Sequence, residues 1–121
     1  MNVLLAVFIG GGLGSLARFG VSSIVTSGFK NINPVGTLTA NVLSTILLGV
    51  VLYLASQKLD ISDNMKLFLI TGFCGGFSTF STFSYETFEL FRTGQLWFAV
   101  ANILISVALG VGVLFAMSKS I

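Results

Sequence analysis

The chain has 121 residues, of which 55% are hydrophobic and 8% are charged, and its mean hydropathy is +1.00. A soluble domain carries about 25% charged residues, and so few charges cannot cover the surface of a small soluble chain. The absence of His and the single Cys exclude a His/Cys metal site, a Ser-His-Asp triad and a disulfide framework. The net charge of +2 is too small to indicate nucleic-acid binding. We therefore expect an all-α membrane protein.

Four apolar stretches are long enough to cross a bilayer, which takes about 20 helical residues. They run from Val3 to Val25, from Val35 to Ala55, from Met65 to Phe91 and from Leu96 to Met117. They occupy most of residues 1–121, so we expect a single transmembrane domain. No basic residue precedes the first stretch, which favours a retained span over a signal peptide. The short connections predict antiparallel neighbouring helices.

Local signals mark the expected helix ends. They are Gly28 after the first helix, Asn33 and Pro34 before the second, Ser62 and Asp63 before the third, and Arg92 and Gly94 at the end of the third.

The first span is rich in glycine. Gly10, Gly11, Gly12 and Gly14 resemble part of a dinucleotide-binding fingerprint, but no strand precedes them and no suitably spaced acid follows. The spacing Gly10-x-x-x-Gly14 instead predicts a close helix–helix contact. Similar packing is expected at three further glycines, which are Gly49, Gly110 and Gly112.

Polar residues recur on one face of the second span, at Thr37, Asn41, Ser44 and Thr45. Asn41 would be costly facing lipid, so it either makes an interhelical hydrogen bond or donates an amide N–H within a pore. In the fourth span Asn102 and Ser106 share a face, which Gly110 continues without a side chain. Neutral donors on several helices predict a site that holds an anion weakly, as rapid passage requires.

The third span contains two adjacent glycines, Gly75 and Gly76, which we expect to interrupt the helix in mid-membrane. Glycine is about 1 kcal/mol less favourable than alanine inside a helix. An interruption frees backbone polar groups, which lipid cannot satisfy. Two interpretations follow: a kink repaired by Ser and Thr hydroxyls, or an ion site of free carbonyls and helix ends that suits a small monovalent cation.

Aromatic and hydroxyl residues alternate after these glycines. Phe77, Phe80 and Phe83 are three residues apart and share one side of a helix. Such a stripe is common in cores and at lipid contacts, but ring edges are electropositive and, with interleaved hydroxyls, can also line an anion path. Glu86 and Glu89 follow. Both can lie at the membrane interface close to Arg92, or Glu86 can instead face a vestibule.

The basic residues divide evenly between the two sides of the membrane. Both termini and the second loop share one side, with Lys58, Lys66 and Lys119, and the other side has Arg18, Lys30 and Arg92. Orientation normally follows an excess of Lys and Arg in cytoplasmic loops, and here there is none. Either a weaker feature such as the placement of Arg18 fixes the topology, or the chain inserts both ways and pairs with itself head to tail.

Three segments together resemble the Fluc/CrcB family of fluoride channels. They are Gly72-Phe73-Cys74-Gly75-Gly76-Phe77-Ser78-Thr79-Phe80-Ser81-Thr82-Phe83, Gly14-x-x-x-Arg18 and Gly36-Thr37-Leu38-x-x-Asn41. The resemblance covers essentially the whole chain. It implies four transmembrane helices with the third broken, in an antiparallel, dual-topology homodimer whose two fluoride pores are each built from both subunits.

The resemblance also implies roles for individual residues. For the fluoride pore they are Asn41 as a donor, the paired phenylalanines Phe80 and Phe83, Ser81 and Thr82 beside the path, and Ser106 on a polar track of the fourth span. The backbone carbonyls of Gly75 and Ser78 from both subunits would hold a structural sodium ion at the dimer centre. Arg18 would lie toward the pore vestibule. Some relatives carry a hydroxyl or an aromatic polar group where this chain has Asn102 and Gly110.

The implied function is passive, fluoride-selective export across the cytoplasmic membrane of a bacterium, which gives fluoride resistance. Hydrogen fluoride enters an acidified cell and dissociates, and the anion then leaves through the channel. Fluoride is small and strongly hydrated, so its site must replace lost water with donors, which Asn, Ser and Thr supply. Chloride is larger and would fit a narrow slot poorly.

The main alternative is a proton-coupled small multidrug transporter, which has similar length, four spans and often dual topology. It requires a carboxylate deep in the membrane, but the only acids within the spans are Glu86 and Glu89, toward the end of the third. A structural subunit would explain the hydropathy but not the Gly-Gly pair and its Ser-Thr-Phe repeat. No nucleophile and base pattern indicates an enzyme.

Overall fold

The computed structural model describes residues 2–27, 34–57 and 61–118, and the elements within these ranges are all helical. They are α1 (Val3–Ser27), α2 (Pro34–Ser56), α3 (Asp63–Lys66), a π-helix (Leu67–Cys74), α4 (Gly75–Phe77), α5 (Phe80–Arg92) and α6 (Leu96–Met117). Four stretches are long and apolar enough to cross a membrane, at Val3–Val25, Val35–Ser56, Asp63–Arg92 and Leu96–Met117. The expected all-α architecture with four candidate spans is therefore confirmed.

Several residues with expected roles at helix ends or in topology lie outside the described ranges. They are Gly28, Lys30, Asn33, Lys58 and Lys119. The even division of basic residues across the membrane accordingly stays a prediction.

Both ends of the third span carry the expected local chemistry. Ser62 caps α3, because its Oγ accepts the backbone N–H of Met65 at 3.1 Å. At the far end Arg92 lies in the last turn of α5 and pairs with Glu89 at 2.7 Å. Gly94 follows with φ +83°, a left-handed conformation that glycine adopts without strain.

The first span packs against the third so closely that several positions exclude a side chain. A Cβ on Gly10 or Gly14 would collide with a carbonyl oxygen of the π-helix. On the facing side, a Cβ on Gly76 would collide with a carbonyl oxygen of α1, and one on Gly72 would lie 3.0 Å from the Cα of Gly10. The close contact expected from Gly10-x-x-x-Gly14 is confirmed, and two glycines of the third span complete it.

The other glycines differ in what surrounds them. A Cβ on Gly49 would lie 2.5 Å from Sδ of Met117, so this glycine allows α2 to approach α6 as expected. A Cβ on Gly110 or Gly112 would meet nothing within 4 Å in the described part of the chain. The expectation that these two glycines pack against another helix is wrong for the single subunit.

Small and polar side chains fill the interior, and large apolar ones face outward. The buried residues include Ala6, Ala40, Ala99, Thr37, Ser44 and Asn102, and the exposed ones include Phe8, Trp97 and Phe115. This distribution suits a chain whose surroundings are lipid, because helices in lipid associate through close packing and polar contacts.

Candidate functional site

Two residues with extended backbone separate α4 from α5. Ser78 has φ −86° and ψ 155°, and Thr79 has φ −152° and ψ 123°. Gly75, by contrast, has helical dihedrals and begins α4. The expectation that Gly75 and Gly76 themselves interrupt the helix is therefore wrong. Gly76 serves the close approach to α1 instead, and the change of conformation comes at the two hydroxyl residues that follow Phe77.

The side chain of Asn41 bridges the backbone of Thr79. Its Oδ1 accepts the Thr79 N–H at 2.9 Å, and its Nδ2 donates to the Thr79 carbonyl oxygen at 3.4 Å. In a continuous α-helix that N–H would instead bond to the carbonyl of Gly75. An amide from α2 thus replaces the helical acceptor of the Thr79 N–H, which apolar surroundings would otherwise leave unsatisfied, and adds a donor to the Thr79 carbonyl.

A second polar residue of α2 contacts the same segment one turn away. Ser44 is buried and donates from Oγ to the carbonyl oxygen of Cys74 at 3.0 Å. The same oxygen accepts the backbone N–H of Ser78 at 3.0 Å and its Oγ–H at 2.8 Å. The polar face expected on the second span is therefore turned toward the end of α4.

Thr79 also starts α5. Its Oγ1 accepts the backbone N–H of Thr82 at 3.3 Å, which is the N-cap arrangement. The same oxygen lies 3.3 Å from Oγ of Ser81 and donates its proton to Oγ1 of Thr82 at 3.4 Å. The three hydroxyls therefore form a cluster at the N-terminus of α5, where the helix dipole favours negative charge.

Two carbonyl groups lose their usual helical partners here. The N–H of Thr79, four residues after Gly75, is taken by Asn41, and the N–H of Thr82, four residues after Ser78, is taken by the Thr79 side chain. The chemistry of the two freed carbonyl oxygens suits a hard monovalent cation. No group of three or more His, Cys, Asp or Glu that could hold a metal occurs among residues 2–27, 34–57 and 61–118.

Arg18 satisfies a further carbonyl in this region. Its Nε donates to the carbonyl oxygen of Gly76 at 3.2 Å. A carbonyl in the last turn of a helix attracts a cation, so this contact stabilises the end of α4. The placement of Arg18 toward a vestibule stays a prediction.

A cavity of about 270 Å³ lies beside the two extended residues. It is lined by Asn41, Val42, Thr45, Ser78, Thr79, Phe80, Phe83, Ser106, Val107 and Gly110. The structure thus brings together four of the six expected pore residues, from three different spans. The lining combines hydroxyls, an amide and two aromatic rings and contains no charged side chain.

The two cavity phenylalanines form a pair. The ring centroids of Phe80 and Phe83 are 5.8 Å apart and the ring planes are tilted by 42°. Phe80 is 79% exposed in the single subunit. Ser81 and Thr82 lie outside the cavity lining, on the first turn of α5.

Polar residues connect α5 to α6 behind the cavity. Thr87 donates from Oγ1 to the carbonyl oxygen of Phe83 at 2.8 Å, and Nδ2 of Asn102 donates to Oγ1 of Thr87 at 2.9 Å. Ser106 donates from Oγ to Oδ1 of Asn102 at 3.4 Å. The face shared by Asn102 and Ser106 is therefore turned toward α5, and Asn102 does not line the cavity.

Glu86 lies one turn beyond Phe83 on α5 and is only partly exposed. Its Oε1 is buried without a hydrogen-bond partner among the described residues. Glu89, by contrast, accepts two hydrogen bonds from Arg92, so these two side chains are close as expected, and their position at the membrane interface stays a prediction.

Sequence reasoning did not identify the roles of two residues that hold this region together. They are Thr79, which bonds to the Asn41 amide and caps α5, and Thr87, which accepts from Asn102. It placed Ser44 on the polar face of the second span but did not give its partner, the carbonyl oxygen of Cys74. A β-branched hydroxyl residue three positions before Thr82 is an N-cap pattern, so Thr79 could have been found once a helix start was placed at Phe80.

The sequence matches the family model described as "CrcB-like protein, Camphor Resistance (CrcB)" over residues 5–117. It is 45% identical over 114 residues to the "Fluoride-specific ion channel FluC" of Pyrococcus horikoshii, which covers 94% of this chain and 91% of that protein. It is 48% identical over 107 residues to "Fluoride-specific ion channel FluC 1" of Yersinia pseudotuberculosis, covering 88% and 84%. The FluC protein of Coxiella burnetii is 42% identical over 112 residues, covering 90% and 88%.

Proposed function

Because this chain belongs to the CrcB family, we propose that it is a channel that conducts fluoride selectively and passively. Relatives more than 40% identical carry the name fluoride-specific ion channel, and the chain is a multi-pass membrane protein. The observation that carries the proposal is the uncharged cavity lined by Asn41, Ser106 and the phenylalanine pair.

The cavity offers fluoride replacements for its water. Asn41 retains amide N–H capacity beyond its bond to Thr79, since an amide carries two N–H donors. Ser106 adds a hydroxyl, and the edges of Phe80 and Phe83 offer the positive part of the ring quadrupole. Since no full positive charge faces the cavity, the anion is held weakly and leaves readily. Ser81 and Thr82 contribute hydroxyls beside the path.

The working form in this proposal is an antiparallel homodimer with two pores, each formed by both subunits. Support comes from groups that a lone subunit would leave in lipid. Thr71, Gly75, Ser81 and Ser84 of the third span are exposed, and so is the ring of Phe80. A second copy would cover these groups, and an inverted copy agrees with the even division of basic residues.

A structural sodium ion at the dimer centre is part of the same proposal. The Thr79 N–H bonds to Asn41 and the Thr82 N–H bonds to the Thr79 side chain, so the carbonyl oxygens of Gly75 and Ser78 lack their usual helical donors, and oxygen ligands suit a hard cation. The exposed position of Gly75 supports access from a second subunit. These carbonyl oxygens of both subunits would hold the ion, and its positive charge would offset their partial negative charge.

Passive export across a bacterial inner membrane, giving fluoride resistance, completes the proposal. The small multidrug transporter interpretation is not favoured by these relatives. It needs a deep carboxylate for proton exchange, but α1, α2 and α6 contain no acid.

Fluoride efflux from liposomes that contain only the purified protein tests the proposal. We expect rapid fluoride release into a chloride-free medium and no measurable chloride release under the same gradient. Phe83→Ile provides a matched protein control, because it keeps apolar bulk at the cavity and removes the ring. Equal release of fluoride and chloride, or release of neither, would refute the proposal.

A further inference from the structure

The hydrogen bonds behind the cavity run in one fixed direction. The Thr87 hydroxyl has one proton, which it gives to the carbonyl oxygen of Phe83, because a carbonyl can only accept. Oγ1 of Thr87 must therefore accept in its contact with Asn102. This requirement orients the Asn102 amide with Nδ2 toward Thr87 and Oδ1 toward Ser106.

The Ser106 hydroxyl is the last member of this series, and of the three side chains in it Ser106 alone lines the cavity. Its single proton points to Oδ1 of Asn102 across 3.4 Å, which is long for an O–H···O hydrogen bond. Without that acceptor, a serine on a helix commonly turns its hydroxyl to the main-chain carbonyl four residues earlier, which here belongs to residue 102. Such a bond, shorter than the 3.4 Å contact to Asn102, would hold the proton against the main chain of α6.

We propose that Asn102 is a positioning residue that keeps the Ser106 hydroxyl directed beside the cavity through a weak, easily exchanged hydrogen bond. An anion that enters takes the proton from Oδ1 of Asn102, and the proton returns when the anion leaves. Asn102 is itself only 8% exposed and acts through Ser106 without contacting the ion.

The hydroxyl is satisfied in both states, and Oδ1 of Asn102 gives up only a long 3.4 Å hydrogen bond while the ion is present. Thr87 holds the amide in place throughout, since its 2.9 Å bond to Nδ2 does not involve Ser106. The proposal rests on the proposed fluoride function for its ion, but the orientation of the three side chains does not depend on that function.

A double-mutant cycle tests the proposal. Fluoride efflux is measured for liposomes with the wild type, Asn102→Leu, Ser106→Ala and the double variant. Asn102→Leu alone should lower the efflux rate about five-fold, as expected for the loss of one hydrogen bond of modest net strength. In the Ser106→Ala background the same substitution should change the rate less than about two-fold, because the hydroxyl that it directs is gone.

Two further variants separate positioning from packing. Ala99→Gly loosens a fully buried position of α6 without touching the hydroxyls, so its effect should multiply with that of Ser106→Ala. Thr87→Val removes the anchor of the amide and is close in shape to threonine, so it should lower efflux in the wild type and change little in Ser106→Ala. Multiplicative effects of both Asn102→Leu and Thr87→Val with Ser106→Ala would overturn the proposal.

A measurement that does not involve ion transport distinguishes the positioning role of Asn102 from the proposed fluoride function. The side-chain N–H₂ protons of Asn102 should exchange slowly with water in the wild type and much faster in Thr87→Val, as seen by amide NMR. Unchanged exchange would overturn the orientation argued here even if fluoride flows. If the wild type shows no fluoride efflux but the exchange result is as expected, the proposed fluoride function is refuted and the orientation of the Asn102 amide still holds.

Discussion

Replacement of Asn41 by leucine should destabilise the protein because it removes both bonds to the peptide groups of Thr79. The Thr79 N–H loses its 2.9 Å acceptor in a segment that has no helical partner to replace it. A buried donor left without an acceptor costs about 1–3 kcal/mol, and the 3.4 Å bond to the carbonyl adds less. We therefore expect Asn41→Leu to lower the free energy of unfolding by about 2 kcal/mol.

Ser44→Ala is the matched control on the same helix. Its acceptor, the carbonyl oxygen of Cys74, keeps two other donors from Ser78, so no buried group is left unpaired. We expect a loss of about 0.5–1 kcal/mol, the net value of one hydrogen bond whose partner remains satisfied. Unfolding by sodium dodecyl sulfate in mixed micelles, followed through the fluorescence of Trp97, measures the change in free energy of unfolding for both variants under the same conditions.

Hydrogen exchange locates the effect. The amide of Thr79 should be protected in the wild type and in Ser44→Ala and should exchange rapidly in Asn41→Leu. In Asn41→Asp the carboxyl retains an acceptor for that amide, so protection should remain while fluoride efflux is lost with the N–H donors. Equal stability of the Asn41→Leu and Ser44→Ala variants, or protection of the Thr79 amide in Asn41→Leu, would refute the role of the Asn41 side chain in holding the main chain of Thr79.

Four further outcomes are expected. Phe80→Ile and Phe83→Ile should each reduce fluoride efflux at least ten-fold, about the effect of 1.4 kcal/mol, because ring edges are lost while bulk is kept; efflux at the wild-type rate in both would count against a role for the edges. Gly14→Ala should cost about 1–3 kcal/mol of stability through its clash with the π-helix, whereas Gly12→Ala, which meets open space, should cost almost nothing. Reporters fused to the C-terminus should be active on both sides of the membrane, and a single-sided result would exclude dual topology. Exchange of sodium for a large organic cation should lower the melting temperature of the purified protein, and an unchanged temperature would speak against structural sodium.

The sequence predicts the helical spans well because length and hydropathy are local properties. The face that carries Asn41 and Ser44 also follows from spacing alone, since residues three or four apart share a side of a helix. The partner of Asn41 does not follow, because Thr79 lies 38 residues away and the pairing is decided by how α2 packs on the third span.

The position of the extended residues shows where propensity arguments fail. Glycine is a poor helix former, which predicted an interruption at Gly75 and Gly76, but the missing side chain of Gly76 is needed for contact with α1. The extended backbone occurs at Ser78 and Thr79, where side chains supply replacement hydrogen bonds. Tertiary packing therefore overrides the intrinsic preference at the glycines, as it often does for helix propensity.

The identity of residue 41 follows from two demands that meet in one side chain. The Thr79 N–H needs an acceptor and the Thr79 carbonyl oxygen takes a donor, and in the proposed function the cavity needs a donor without a full charge. A serine hydroxyl has one proton, so it cannot donate both to the Thr79 carbonyl oxygen and to the cavity. An ionised aspartate donates nothing and repels an anion. Glutamine has the same groups but one more methylene, which moves the amide off the Thr79 peptide. Asparagine meets both demands, so stability at the start of α5 and the proposed donation to the ion are linked at this position.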